Sequence, residues 1–164
     1  MSKQHYQQIC DSNYIPIFSQ PWWLDCVAAT QHSDVAVYEK KGELLAALPY
    51  VRQTLLGLPV CKMPELTPWL YIWFNHAPNA KYTTRLAFEK EALTALIEQL
   101  PRVYRFHQKY SYDWQNWLPF FWRGYQQTTR YTYVLPELND LDAVYQEFKK
   151  NTRYDIRKAG KDVE

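Results

Sequence analysis

WQNWLPFFWRGYQQTTRYTYV, residues 114–134, holds three of the seven tryptophans and five further aromatic rings. Pro119 and Gly124 interrupt Trp117–Tyr125, so that half cannot be one regular element. The second half alternates. Thr129, Tyr131 and Tyr133 fall on one face, against Thr128, Arg130, Thr132 and Val134 on the other. Threonine and tyrosine favour strands, and Pro136 stops the run. The stretch therefore predicts a buried turn followed by a central strand, Thr128–Leu135. It leads into one basic helix, Asp140–Lys161, which Asn139 or Asp140 can cap. Leu141, Val144, Tyr145, Phe148, Thr152, Ile156 and Ala159 hold that helix's apolar stripe.

Upstream, Ser19 is placed to cap a helix whose first turn accepts Pro21. Trp22, Trp23, Cys26, Val27 and Thr30 follow at helical spacing. The tryptophan pair reads as core packing; the functional alternative sets one ring at the lip of a substrate cleft. Asp34–Glu39 alternates, Lys40-Lys41-Gly42-Glu43 is a tight hairpin signal, and Leu44–Arg52 returns as a strand. That strand is almost continuously apolar, which predicts cover on both faces, and Pro49 predicts a bend or an edge. Leu55–Met63 is a third strand, introduced by a turn through Gly57 or the preceding Gln53-Thr54, completing an antiparallel meander.

Pro64–Pro78 reads as an irregular loop around a short strand at Leu70–Phe74. Asn75–Lys81 reads as the most exposed place in the chain. Thr83–Leu100 reads as a helix with Leu86, Leu93, Leu96, Ile97 and Leu100 inward, and with Glu89 and Glu91 complementing its dipole. Pro101 ends it, and Val103–Gln108 is a further strand.

A chain of 164 residues suits one compact domain, or one lobe of something larger. Aromatics at 17% and only four glycines argue against disorder and against a glycine-rich nucleotide loop. Net charge is +2, too mild by itself to imply nucleic acid. Cys10, Cys26 and Cys61 form neither a CxxC nor a Cys/His ligand spacing, so reduced thiols are expected, with no zinc site. No apolar run approaches the ~18–20 residues of a membrane span, and the first residues lack a signal-peptide apolar region. A soluble cytoplasmic protein is the expectation.

The sharpest local signal is charge. Lys149, Lys150, Arg153, Arg157, Lys158 and Lys161 lie within thirteen residues. Lys149, Arg153 and Arg157 are spaced by four and form one stripe of the expected helix. Arginine grips phosphate or carboxylate with two parallel hydrogen bonds. The plainer explanation is a solvated face whose last turn favours cations. His5, His32, His76 and His107 are scattered with no ligand pattern. His107 reads as a structural histidine, and no GxSxG elbow or Cys–His pairing points to a nucleophile.

FSQPWWLD (18–25), an LPYV strand, KMPELTPWL (62–70), NWLPF…GY…TTRYTYVL (116–135) and a helix with R-x-x-I-R-K-A (153–159) occur here in an order that resembles GNAT-like acyltransferases. The likeness is to those related to the Fem peptidoglycan-bridge aminoacyltransferases of bacteria, and it covers Ile15 to Val163. It implies an α+β fold with a mixed, mainly antiparallel sheet flanked by helices. It also implies N-acyl transfer, with acyl-CoA or aminoacyl-tRNA as donor and an amine as acceptor. Such proteins carry two GNAT-like halves. Residues 1–164 are therefore expected to be the N-terminal lobe, with 139–164 leading toward a second lobe.

The [QR]-x-x-G-x-[GA] pyrophosphate loop of single-domain GNAT enzymes has no match here; Arg123-Gly124 is followed by Tyr-Gln-Gln. Under this resemblance Arg153, Arg157 and Lys158 hold the anionic carrier, and Arg130 points there from the strand. The alternative is an inert binding or assembly module that self-associates through the surface a missing lobe would leave. A third reading, non-specific RNA binding, rests on the basic helix; nucleic acid otherwise enters only if the donor is a tRNA. Membrane insertion is not expected.

Overall fold

The computed structural model describes residues 2–28, 31–135 and 137–162. The chain divides into two compact units, Met1–Gln127 and Thr128–Glu164.

The first unit is a mixed α/β arrangement. Its helices are α1 (Ser2–Ser12), α2 (Pro21–Ala28), α3 (Tyr82–Gln99) and α4 (Leu118–Trp122). Its strands are β1 (His32–Lys40), β2 (Glu43–Leu55), β3 (Leu58–Cys61), β4 (Trp73–Phe74) and β5 (Arg105–Phe106). The sheet runs β1-β2-β3-β5, with β4 also on β2. All pairings are antiparallel except β3 with β5, where Val60 meets Arg105 and Cys61 meets Phe106 in parallel.

Two turns of the same kind set the meander. Lys41 and Gly42 have φ 53° and 80°, and Leu56 and Gly57 have φ 51° and 80°. A two-residue loop with both φ positive matches the right-handed twist of the strands it joins. Glycine takes the second position at no steric cost, whereas Lys41 and Leu56 adopt it as side-chain-bearing residues.

β2 is the buried strand, with Ala46, Ala47, Leu48 and Val51 fully enclosed. Ala46, Leu48 and Tyr50 pack toward Leu93, Leu96 and Ile97 of α3. Ala47 faces Tyr6 and Ile15 instead, and Val51 faces Leu24 and Ala28 of α2. The register slips between Tyr38 and Glu39, whose partners are Ala46 and Leu44. Leu45 is thus the extra residue of a bulge, and the shift of parity sends Leu44 to the Ala47 face. Pro49 neither ends nor bends the strand off the sheet. It pairs with Val35 inside the β1–β2 ladder and is buried.

Several local expectations are corrected. Ser19 does not cap α2. It closes a 3₁₀ turn, Ile17–Ser19, and its buried Oγ accepts a hydrogen bond from the Tyr71 amide at 2.6 Å. Trp22 is 52% exposed, because α2 turns Pro21, Leu24 and Ala28 inward; Thr30 lies outside the described residues. The strand expected at Val103–Gln108 is only Arg105–Phe106. Asn75–Lys81 is not uniformly exposed, since His76 is half-buried, while residues 126–135 are exposed throughout.

The turn expected in the aromatic half of 114–134 is buried only in part: Asn116, Pro119 and Phe120 are enclosed, whereas Leu118, Phe121 and Trp122 are exposed because the short helix turns one face to solvent. Pro119 starts α4, and Phe120 is buried among Phe106, Tyr110, Trp114 and Tyr125. Gly124 closes the turn at φ 83°. The central strand expected at Thr128–Leu135 is absent: these residues pair with no strand, and Tyr131 and Tyr133 are 96% and 99% exposed. Alternation suits a side chain for a sheet face, but a strand exists only through a partner's hydrogen bonds.

In the second unit the single basic helix expected over Asp140–Lys161 is two. Asp140 caps α5 (Leu141–Glu147), its carboxylate accepting from the Ala143 amide at 3.0 Å. Phe148 then leaves the helix with ψ 146°, and α6 (Lys150–Asp162) restarts, with the Arg153 amide donating to the Lys149 carbonyl. Lys149 stands at this break, so it does not continue a stripe with Arg153 and Arg157. Tyr145 Oη donates to the Arg153 carbonyl at 3.1 Å, fastening α5 to α6.

Candidate functional site

The four cations expected to hold an anionic carrier lie in the second unit and differ in kind. Arg153 is half-buried and already committed. Its Nη1 donates to the Gln146 carbonyl at 3.3 Å and to Gln146 Oε1 at 2.8 Å. Its guanidinium thus bridges the α5–α6 break. Arg157 and Lys158 follow on α6; both are exposed, and among the described residues neither has a hydrogen bond or ion pair. Their charges remain available to a ligand. Arg130 is equally exposed and unpaired among the described residues, but it stands on the unpaired segment rather than on a strand.

The first unit holds a polar constellation that sequence reading misses. His76 follows β4, Glu89 lies on α3 and Asn116 lies just before α4. His76 Nε2 sits 2.9 Å from Glu89 Oε1, and Asn116 Nδ2 donates to Glu89 Oε2 at 3.2 Å. The His76 ring stacks on Phe74 at 5.6 Å and takes the Phe88 ring edge-on at 5.8 Å. The His76 and Glu89 side chains are only 26% and 17% exposed. Glu89 was expected to serve the α3 dipole, but that effect fades within the first turn; it is instead fully engaged as an acceptor. Glu91 likewise has specific partners, Lys40 and Tyr38, both at 2.6 Å. These hydrogen bonds hold the Glu91 carboxyl below its ordinary range and the Lys40 ammonium above its own.

A second polar cluster joins α1, α2 and β1. Lys3 Nζ contacts Asp25 Oδ1 at 2.5 Å and Ser33 Oγ at 2.7 Å, and Ser33 donates to Asp25. Partial burial pushes the Asp25 carboxyl up, but the hydrogen bonds from Lys3 and Ser33 outweigh it and leave the group lowered. Beside it is a depression of about 310 Å³ lined by Lys3, Gln4, Gln7, Pro21, Trp22 and Asp25. Trp22 lines this shallow depression, while Trp23 packs inward with its Nε1 donating to Thr67 Oγ1 at 3.0 Å.

Two of the three thiols, Cys10 and Cys61, are poorly suited to attack. Burial pushes Cys61 up to about 11. Cys10 is likewise pushed up to about 11 by burial, against the hydrogen bond from Tyr6. A nucleophilic cysteine needs the thiolate. Among the described residues no group of three or more His, Cys, Asp or Glu is placed to hold a metal ion, and no helix is long and apolar enough to cross a membrane. No family model, curated protein or solved structure matches this chain.

Proposed function

We propose that the chain is an N-acyltransferase of the GNAT-like, Fem-related kind, or the N-terminal lobe of one. It would transfer an acyl or aminoacyl group from a CoA thioester or an aminoacyl-tRNA to an amine. The observation that carries this reading is the resemblance over Ile15–Val163, whose implied class, a mainly antiparallel mixed sheet flanked by helices, is the class of the first unit. The amine must reach the activated carbonyl in line and lose a proton as it attacks, so positioning and charge stabilisation are the protein's contributions. Arg157 and Lys158, exposed and without partners among the described residues, suit the anionic carrier, with Arg130 as a further cation.

Titrating acetyl-CoA into the intact chain at low salt tests the assignment. The double variant Arg157→Ala/Lys158→Ala is expected to bind roughly tenfold more weakly, from two exposed charge contacts of about 0.5–1 kcal/mol each. Unchanged affinity would remove both residues from the donor site. If the carrier is a tRNA, affinity falls steeply with salt, and a flat response leaves the thioester as donor.

A second reading is favoured by one observation. Tyr131, Tyr133 and Leu141 are 96%, 99% and 67% exposed within one short stretch of the second unit. An apolar surface of this kind suits an assembly module. Light scattering across a concentration series is then expected to show reversible dimers. A monodisperse monomer throughout would set the module reading aside.

A further inference from the structure

We propose that His76 is a general base whose Nδ1 takes the proton of an attacking amine, with Glu89 and Asn116 as positioning residues. The reaction assigned to it rests on the acyl-transfer reading.

An ionised carboxylate only accepts hydrogen bonds. Glu89 Oε1, 2.9 Å from His76 Nε2, therefore fixes the imidazole proton on Nε2. The lone pair is left on Nδ1, and among the described residues no group bonds it. Asn116, itself buried, holds the other oxygen of Glu89 and so prevents the carboxylate from rotating away. The face of Phe74 and the edge of Phe88 fix the plane of the ring. Three elements converge on the ring: α3 supplies Glu89 and Phe88, β4 supplies Phe74, and the segment before α4 supplies Asn116.

A second histidine–carboxylate pair shows what a plain surface contact looks like here. His5 Nδ1 lies 2.9 Å from Glu39 Oε1, the side chains are 51% and 35% exposed, and among the described residues neither a third polar partner nor an aromatic contact fixes the ring. A simple tether from the 75–81 loop to α3 needs only the first hydrogen bond. It does not need the second carboxylate oxygen pinned, nor two aromatic rings aligning the imidazole. An imidazole oriented by a carboxylate, with no partner on its other nitrogen among the described residues, is an arrangement that serves general-base catalysis.

In the step assigned to it, the amine nitrogen attacks the thioester carbonyl carbon and the new C–N bond forms. The amine proton passes to Nδ1. The C–S bond breaks with its electron pair on sulfur, and the imidazolium returns that proton to the thiolate. The products are an amide and a free thiol, with no redox change.

Two readouts on the intact chain test this. The first needs neither donor nor turnover. Diethyl pyrocarbonate at neutral pH is expected to carbethoxylate half-buried His76 at least as fast as exposed His32, read residue by residue from peptide masses. Glu89→Gln is expected to slow His76 alone about fivefold, and nitrogen NMR to show loss of the single Nε2–H tautomer. An unreactive His76, or a Glu89→Gln chain with unchanged rate and tautomer, overturns the proposal.

The second readout is amine-dependent thiol release from acetyl-CoA. His76→Gln is expected to lower it about 100-fold while donor affinity stays constant; full activity in that variant overturns the base and leaves acyl transfer standing. Absence of thiol release from the unmodified chain with every amine, alongside a reactive His76, instead removes acyl transfer and keeps the base.

Discussion

Phe120→Ala is expected to destabilise the first unit by about 3–5 kcal/mol, whereas Phe121→Ala, one residue along, should cost about 1 kcal/mol or less. Phe120 is 5% exposed and stands at the centre of a ring cluster. Its centroid lies 5.2 Å from Tyr125, 5.8 Å from Trp114, 5.9 Å from Tyr110 and 6.4 Å from Phe106. The Tyr125 and Trp114 contacts are edge-to-face, a geometry that contributes about 0.5–1.5 kcal/mol per pair beyond burial. Truncation would leave a void that Leu93 and Leu96 on α3 can fill only by moving the helix.

Phe121 is 56% exposed, and among the described residues its one ring contact is Trp117 at 5.3 Å. Urea midpoints followed by tryptophan fluorescence separate the two variants. Against a typical stability of about 5–15 kcal/mol, the first substitution removes a large share. Equal midpoints for both would contradict the assignment of Phe120 as the inward ring.

Raising the pH should weaken the first unit well before the surface lysines lose their charge. Burial holds the Cys61 and Cys10 thiols up to about 11. Burial, then the charge of Asp34, holds the Tyr50 phenol up to about 12. Tyr6 and Tyr110 are held well above the ordinary phenol value, again chiefly by burial. In an unfolded chain thiols ionise near ~8.5 and phenols near ~10. Between those values and the raised ones, the unfolded chain has released protons that the folded chain keeps. The unfolded state then binds fewer protons, so stability falls with pH.

The contribution of these groups is fully present below about pH 8.5 and is lost as pH climbs through about 11–12. Each fully buried group adds a slope of up to about 1.4 kcal/mol per pH unit, and partly solvated Cys10 adds less. Urea midpoints at pH 8 and pH 10.5 measure the effect, and Cys61→Ala should remove one group's share. An unchanged midpoint between those pH values would show that burial does not hold these protons.

The features legible in the sequence are those whose cause is local. Lys41-Gly42 marks its turn because the conformation of two residues decides it, whereas the second turn, open in the sequence between Gly57 and Gln53-Thr54, falls at Leu56-Gly57, inside the strand expected over Leu55–Met63. Helix α3 is legible because Leu93, Leu96, Ile97 and Leu100 recur on one face and Pro101 forbids continuation. Asp140 is legible as a cap because its partner, the Ala143 amide, is three residues away. The break at Phe148 is not, since no glycine or proline marks it and the contact fastening α5 to α6 joins Tyr145 to the Arg153 carbonyl across the turn. Nor is it legible that Arg153 is occupied while Arg157 and Lys158 are open. All three are cations, Arg153 and Arg157 of identical chemistry, and only the fold sets Gln146 beside one of them.

For residues 114–134, composition and alternation determined which side chains could be buried and which backbone would suit a sheet. Tertiary structure decided the outcome. Phe120 rather than Phe121 turned inward, and Thr128–Leu135 lacked the neighbouring strand whose hydrogen bonds would have made it one. The same division holds for His76, Glu89 and Asn116. No local pattern links residues 13 and 27 positions apart, because a hydrogen bond depends on distance in space, and the sheet and α3 set that distance only once they have packed.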